Sequence, residues 1–545
     1  MSFLLLAMAL VLAPQVNPAS TAISVAEQKC TISGTALAAD TGQPLRDATV
    51  TIRQAGAQGS SSESVATDAS GHFAIKNLEP GSYSLNAGHA GYLTMQFGQK
   101  DPNGPGRMLT LRPGQTARDI SFQLLREAVI TGHVYAEDGD PIERAQVLAL
   151  RYRYFQGSRR LMPGGFAMTD DRGKYRLFDL SPGQYYISAS TNPMGSRNTF
   201  TYGPSYYPGV TDPSQASPIT LRAGNEFPGI DLTLQRIGIF HIRGRVTGGI
   251  GKATLTNTML QIVTRTEAMV SFGTGGRVTD AQGDFEFPGV RPGSYFLIAR
   301  LSNKGNLYQA RQPVTVTDSD VDGVQLVLTP GATVKGIVQT EGSVDFSKVR
   351  FVLTPRDGVM MFSAPNSSAV GQDGTLEFDS IPDGNYLVRV FGLPQNAYVK
   401  SAKMGDEDVL DSGFTIANGA PPGSTLRIVV SANGGTIGGT VMLDGKPFNA
   451  ALVTLLPDDP AKLSDDLWFK SATTDQYGSF TISGIRPGDY RLFAWEKIQQ
   501  GKEREPDFYN QFKDDGREVH VGPGAALNFQ LTVIPAKQTQ AEGAQ

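Results

Sequence analysis

The chain carries few residues that could do covalent chemistry, and their spacing excludes most of it. Its five histidines, His72, His89, His133, His241 and His520, are spread over 545 residues, and none has a carboxylate three positions on. A hydrolytic zinc centre needs converging histidine and carboxylate ligands around an open position, so no metal, cofactor or catalytic residue is assigned. The single cysteine, Cys30, excludes an internal disulfide and a cysteine-based zinc site, and reads as an exposed thiol near the N-terminus. No Gly-x-Ser-x-Gly elbow marks a nucleophilic serine. Asp318-Ser-Asp-Val-Asp-Gly323 looks like the first half of a calcium loop. Thr329 occupies the twelfth position, where a bidentate glutamate belongs, so the segment reads as a solvated turn. A net charge of −4 argues against nucleic acid as a partner, which calls for a basic face.

Non-covalent chemistry is better represented. Arg151-Tyr-Arg-Tyr-Phe155 brings Tyr152 and Tyr154 together with Arg159 and Arg160, and a second cluster holds Tyr202, Tyr206 and Tyr207. Arginine interleaved with tyrosine suits stacked sugar rings or an anionic polysaccharide. The competing reading is an amphipathic strand and a packed loop. Trp468 follows Asp465-Asp466 in a loop-like stretch and is the other binding candidate. Trp495 lies in strand-like sequence and reads as core, and Phe508, Tyr509 and Phe512 stand in an acidic stretch.

These residues hang on a phrase that the chain repeats five times. It runs Asp68-Ala-Ser-Gly-His-Phe-Ala-Ile-Lys-Asn-Leu-Glu-Pro-Gly-Ser-Tyr-Ser-Leu85, and returns at 170–187, 280–297, 371–388 and 475–492. Asp-x-x-Gly is a turn, and alternating apolar residues after it make a half-buried strand. Pro-Gly fits the centre of a type II turn, and Tyr-x-Leu starts a return strand, so the phrase predicts a hairpin. The turn glycines 71, 173, 283, 374 and 478 lie about 102, 110, 91 and 104 residues apart, too long for a solenoid repeat and right for domains. Each copy is preceded by an equivalent opening strand (Ile32–Ala36, Ile130–Val134, Ile242–Val246, Val334–Val338, Ile437–Val441) and followed by two closing strands. About seven short strands per hundred residues predict an all-β tandem array of about five antiparallel Ig-like sandwich domains. The limits are 29–126, 127–236, 237–330, 331–432 and 433–536, with 537–545 a disordered tail. Junctions of a few residues predict a stiff rod.

Residues 1–22 read as a signal peptide: Phe3–Leu12 is apolar and small residues follow Pro18, although no Lys or Arg precedes the apolar run. No later segment could span a membrane as a helix, so the mature chain is placed outside the cytoplasm: extracellular, periplasmic or at the cell surface.

The opening x-Gly-x-Val strand, the Asp-Gly-Pro turn and Asp-x-x-Gly-x-Phe-x-Ile-x-x-Leu-x-Pro-Gly-x-Tyr resemble carboxypeptidase regulatory-like domains. These group with transthyretin-like and Cna protein B-type sandwiches of bacterial exported proteins. The resemblance covers nearly the whole mature chain. It implies a non-catalytic spacer or adhesion module of the cell envelope, with polysaccharide or envelope proteins as partners. Through a similarity to starch-binding sandwiches it also implies a carbohydrate binder as the alternative, and more remotely an accessory part of a peptidase system. Some Cna B-type domains carry a Lys–Asn isopeptide bond. Here only Lys335 stands in an opening strand and Asn528 is alone, so packing must hold each domain.

Overall fold

The structure, a computed structural model, describes residues 29–540 except 55–61, 100, 105, 156–157, 193–197, 249–254, 256–257, 266–273, 278–279, 304–305, 357–366 and 418–424. The expected signal peptide and the last five residues lie outside the described residues. Strands account for nearly all the regular structure, in tandem sandwich units. Five large hydrophobic cores span residues 30–124, 128–234, 242–328, 332–430 and 437–533.

Each opening strand lies between two partners. Cys30–Ala38 pairs antiparallel with His72–Leu78 and parallel with Thr116–Leu124. The same parallel pairing of first and last strands recurs in the other four units, so each sandwich is mixed rather than purely antiparallel. The opening glycine permits it. A Cβ on Gly34, Gly244 or Gly439 would sit about 2 Å from a carbonyl oxygen of the closing strand, and one on Gly132 as close to the Ile230 carbonyl just before it.

The repeated phrase is not a hairpin. His72–Leu78 belongs to one sheet, whereas the return strand Gly81–His89 pairs with Thr49–Gln54 in the other. In the remaining units, too, the two strands of the phrase do not pair with each other. The reason is in the backbone. The glycines at this point of the phrase, 81, 183, 293, 384 and 488, follow proline in every copy but the fourth, which has Asp383, and have φ of 152, 145, 157, 155 and 159°, far from the value near +80° of a type II turn. The left-handed residue falls four positions earlier, at Asn77, Asp179, Gly289, Ser380 and Gly484, with φ between 56 and 75°. It makes a bulge against the opening strand, after which the chain crosses the roughly 10 Å between sheets instead of turning back. The residues on the two strands then face each other across the core: Phe73 and Ile75 against Tyr83 and Leu85.

Three polar devices hold this arch. The aspartate carboxylate accepts two backbone N–H bonds, as at Asp68 from Ser70 and His72 (2.8 and 2.9 Å) and at Asp475 from Tyr477 and Ser479 (both 2.9 Å). The threonine before it is buried; Thr67, Thr169 and Thr474 each accept from an alanine N–H and donate to a carbonyl. The phrase tyrosine donates back to the carbonyl four residues upstream, closing the crossing: Tyr83 to Glu79 (2.7 Å), Tyr295 to Arg291 (2.9 Å), Tyr386 to Pro382 (2.8 Å) and Tyr490 to Arg486 (2.9 Å). Tyr83, Tyr185, Tyr386 and Tyr490 are buried, while Tyr295 is half-buried at the edge of its core.

Several expectations are overturned. Cys30 is buried, because it shares the inward alternation of Ile32, and its thiol lies 3.1 Å from the Arg112 carbonyl. The tail does not start disordered at 537: Ala536–Gln540 is helical, and the buried Thr539 donates to the Lys497 carbonyl at 2.6 Å. Phe508, Tyr509 and Phe512 are not a surface. They lie on the helix Pro506–Phe512 and bury against Trp495, Leu456 and Ile534 in a second, smaller core of the fifth unit. Nor is the array a rod. The first and fifth units meet: the Thr110 N–H donates to Gln476 Oε1 (3.1 Å), Gln476 Nε2 to the Thr110 carbonyl (2.9 Å), and Thr110 Oγ1 to Asp475 Oδ2 (3.1 Å). Lys497 pairs with Asp101 at 2.5 Å, and Arg112 covers the Tyr477 ring at 5.3 Å.

Candidate functional site

The Arg-Tyr strand of the second unit, Gln146–Phe155, runs past its partner and reaches the fifth unit. Gln499 Nε2 donates to the Tyr152 carbonyl (2.8 Å), and a Cβ on Gly501 would meet the Tyr154 backbone at 2.8 Å. Arg159 lies 3.9 Å over the Tyr152 ring, whose edge meets Tyr186, and Arg160 faces Arg153 across the ladder. Tyr202, Tyr206 and Tyr207 are elsewhere. Tyr202 lies in Phe200–Tyr202 beneath Arg236, and its carbonyl accepts from Arg291 of the third unit at 3.4 Å. Tyr207 packs on the second core. Tyr206 pairs with Ser188, two strands across and four residues along from Tyr152, or roughly 16 Å away by strand spacing and rise. Burial raises its phenol pKa. The two clusters therefore do not form one platform.

Trp468 is half-buried against the fifth core beside Tyr490, with Lys462 Nζ 4.3 Å and Arg486 Cζ 4.4 Å from its ring. Its indole Nε1 is buried and has no hydrogen-bond partner. Trp495 is core, donating to Thr454 Oγ1 at 2.9 Å.

The other candidates resolve into local pairs. His72, His133, His241 and His520 each face a carboxylate of their own unit, and His89 sits beside the Ala90 carbonyl. No group of three metal-ligating residues occurs among the described residues. The acidic turn at 318–323 is engaged by a cation: Arg243 reaches Glu286 (2.8 Å), Asp320 (2.9 Å) and Asp322 (3.2 Å). The Arg243 guanidinium holds the Glu286 carboxyl below its ordinary range, and the His241 N–H does the same for Asp320. Lys335 is exposed on the outer face of its strand, away from any core in which an isopeptide bond would form.

The feature that sequence reading missed is a cleft of about 1230 Å³ where the first, fourth and fifth units meet. Ser82 and Thr110 line it from the first unit, Arg389, Phe391 and Tyr398 from the fourth, and Lys470, Asp475 and Arg486 from the fifth. The edge strand Lys470–Thr473 and the crossing at Gly484–Arg486 position the fifth-unit groups. The crossing packs closely on the fourth unit, since a Cβ on Gly484 would lie 2.6 Å from the Gln395 carbonyl oxygen. Three cations face the cleft with incomplete pairing. Arg389 is 3.7 Å from Asp465, Arg486 is 3.7 Å from Asp411, and Lys470 makes no ion pair among the described residues. Burial holds the Lys470 ammonium below the ordinary lysine pKa. No spacing rule could have announced this site, because its residues come from units nearly 400 positions apart.

Residues 31–125 match the carboxypeptidase regulatory-like domain family. No curated protein matches the chain. Among solved structures it is similar to a streptococcal ancillary pilin (10% identity over 56% of this chain and 100% of that one, TM-score 0.20). It is also similar to the GBS52 minor pilin of Streptococcus agalactiae (10%, 38% and 96%, 0.22) and the SpaA shaft pilin of Lactobacillus rhamnosus GG (12%, 38% and 98%, 0.16). At such scores the likeness carries no functional conclusion. The chain is a tandem array of β-sandwiches whose first unit matches the carboxypeptidase regulatory-like family, and whose later units repeat its signature phrase.

Proposed function

We propose that this protein is an exported, non-catalytic scaffold of five sandwich domains, with limits 29–126, 127–236, 237–330, 331–432 and 433–536, acting at the cell envelope through surfaces its domains form together. One observation carries the reading: the first and fifth units are in contact through Thr110, Asp475 and Gln476, so the array presents a composite surface rather than five separate ones. Two others support it. The histidines and the acidic turn are used in local pairs, and the repeated polar residues of the phrase serve the fold.

The test is expression of the epitope-tagged full chain in a bacterium, followed by fractionation and chemical cross-linking. The chain is expected in the exported fraction, cross-linked to envelope material. Recovery in the cytoplasm alone, or hydrolysis of peptide or glycoside substrates by the pure protein, would overturn the reading.

A further inference from the structure

We propose that the cleft between the first, fourth and fifth units binds an acidic oligosaccharide, with Lys470 and Arg389 receiving its carboxylates. The inference rests on the closed arrangement, because no single unit contains the site.

Size comes first. About 1230 Å³ exceeds the usual 300–1,000 Å³ of a small-molecule pocket and suits several linked sugar rings. Charge comes second. Arg389 and Arg486 have their nearest carboxylates at 3.7 Å, beyond hydrogen-bond length, and the half-buried Lys470 has none among the described residues. A cation taken out of water without a partner is costly, and a ligand carboxylate would supply what the protein does not. The two carboxylates on the wall are already engaged: Asp466 with Arg504 at 2.7 Å, and Asp475 with Thr110. Shape and polarity come third. Thr354, Thr473, Thr481 and Ser483 put hydroxyls along the wall, and the Phe391 ring, 61% exposed, offers an apolar face of the kind on which a sugar ring stacks. Hydroxyls, a stacking ring and cations together fit a uronate polymer better than a plain polyanion, which needs neither ring nor hydroxyls.

The experiment is calorimetric titration of the full chain with hexagalacturonate, maltohexaose and hexaglutamate at low and at roughly 0.3 M salt. Hexagalacturonate should bind and weaken at the higher salt, where exposed charges are screened. Maltohexaose and hexaglutamate should bind at least tenfold more weakly. Lys470→Gln, which keeps the chain length and removes the charge, should lower hexagalacturonate affinity about tenfold, and Phe391→Ala by a similar factor. Lys335→Gln, on the outer face of the fourth unit and outside the cleft lining, should leave it unchanged. Equal binding of maltohexaose, preference for hexaglutamate, no binding to any probe, or indifference to Lys470→Gln would each overturn the proposal. Small-angle scattering on the same samples separates the two readings. A compact chain that binds nothing sinks the cleft alone, whereas an extended chain sinks the composite scaffold with it.

Discussion

Closure of the array predicts a measurable dimension. A sandwich of about a hundred residues has a radius of gyration of about 13 Å, so five in line give about 50 Å for the chain, and contact of the fifth unit with the first brings this to about 32 Å or less. The closing contact is polar. It comprises three hydrogen bonds around Thr110, the Lys497–Asp101 pair and Arg112 over Tyr477. At about 0.5–1.5 kcal/mol per hydrogen bond and up to about 1 kcal/mol for each of the other two, the contact contributes roughly 2–6 kcal/mol. Gln476→Ala with Lys497→Glu removes two of those bonds and sets like charges against each other, a loss of roughly 2–3 kcal/mol and about a hundredfold in the closed-to-open ratio. Small-angle X-ray scattering should give about 32 Å for the parent chain and a clear rise toward 50 Å for the double variant, with unchanged circular dichroism and unchanged unfolding of the separate units. A parent chain near 50 Å would refute closure. A double variant still near 32 Å would show that these contacts do not hold it.

Other outcomes follow from the units themselves. Tyr490→Phe should cost the fifth unit about 1 kcal/mol in denaturant midpoint, through the lost bond to the Arg486 carbonyl, and Tyr490→Ala about 3–5 kcal/mol. Tyr295→Ala should cost the third unit less than that, because its ring is half-exposed. Gly132→Ala drives a Cβ to 2.1 Å from the Ile230 carbonyl oxygen and should destabilise the second unit by about 1–3 kcal/mol or more, read as an earlier calorimetric transition. Asp458 bonds Arg491 at 2.7 Å, which lowers its carboxyl pKa below the ordinary aspartate value of 3.8. A depressed carboxylate stabilises above its unfolded pKa and loses that contribution as pH falls through the folded value. Asp458→Asn should therefore lower stability at pH 7 by about 1 kcal/mol, discounted for its exposure, and the difference from the parent should vanish under acid.

The fold was legible where a residue's role is local. Alternation after Asp-x-x-Gly named the buried Phe73, Ile75, Tyr83 and Leu85, and the period named the sandwich array. What misled was partnership. Alternation says which side chains point inward and nothing about which strand lies alongside, so two strands joined by Pro-Gly looked like a hairpin although they face each other from opposite sheets. A signal was present: the position four before the glycine holds Asn77, Asp179, Gly289, Ser380 and Gly484, all small or tolerant of positive φ. Trp468 and the Arg-Tyr strand were visible as unusual, but whether a ring meets water or another unit depends on contacts between distant segments such as Tyr152 and Gln499.

The bulge that carries this left-handed residue also sits where units touch. Ser380 accepts from Gln309 of the third unit through its carbonyl (2.7 Å), and Gly484 lies against the Gln395 and Ala397 carbonyls of the fourth. At these two joints the same short stretch therefore does two jobs: it carries the chain from one sheet to the other within its own unit, and it is the surface on which the preceding unit rests. A substitution there is felt on both sides of the joint, so the repeat's internal crossing and the seating of its neighbour cannot be altered separately.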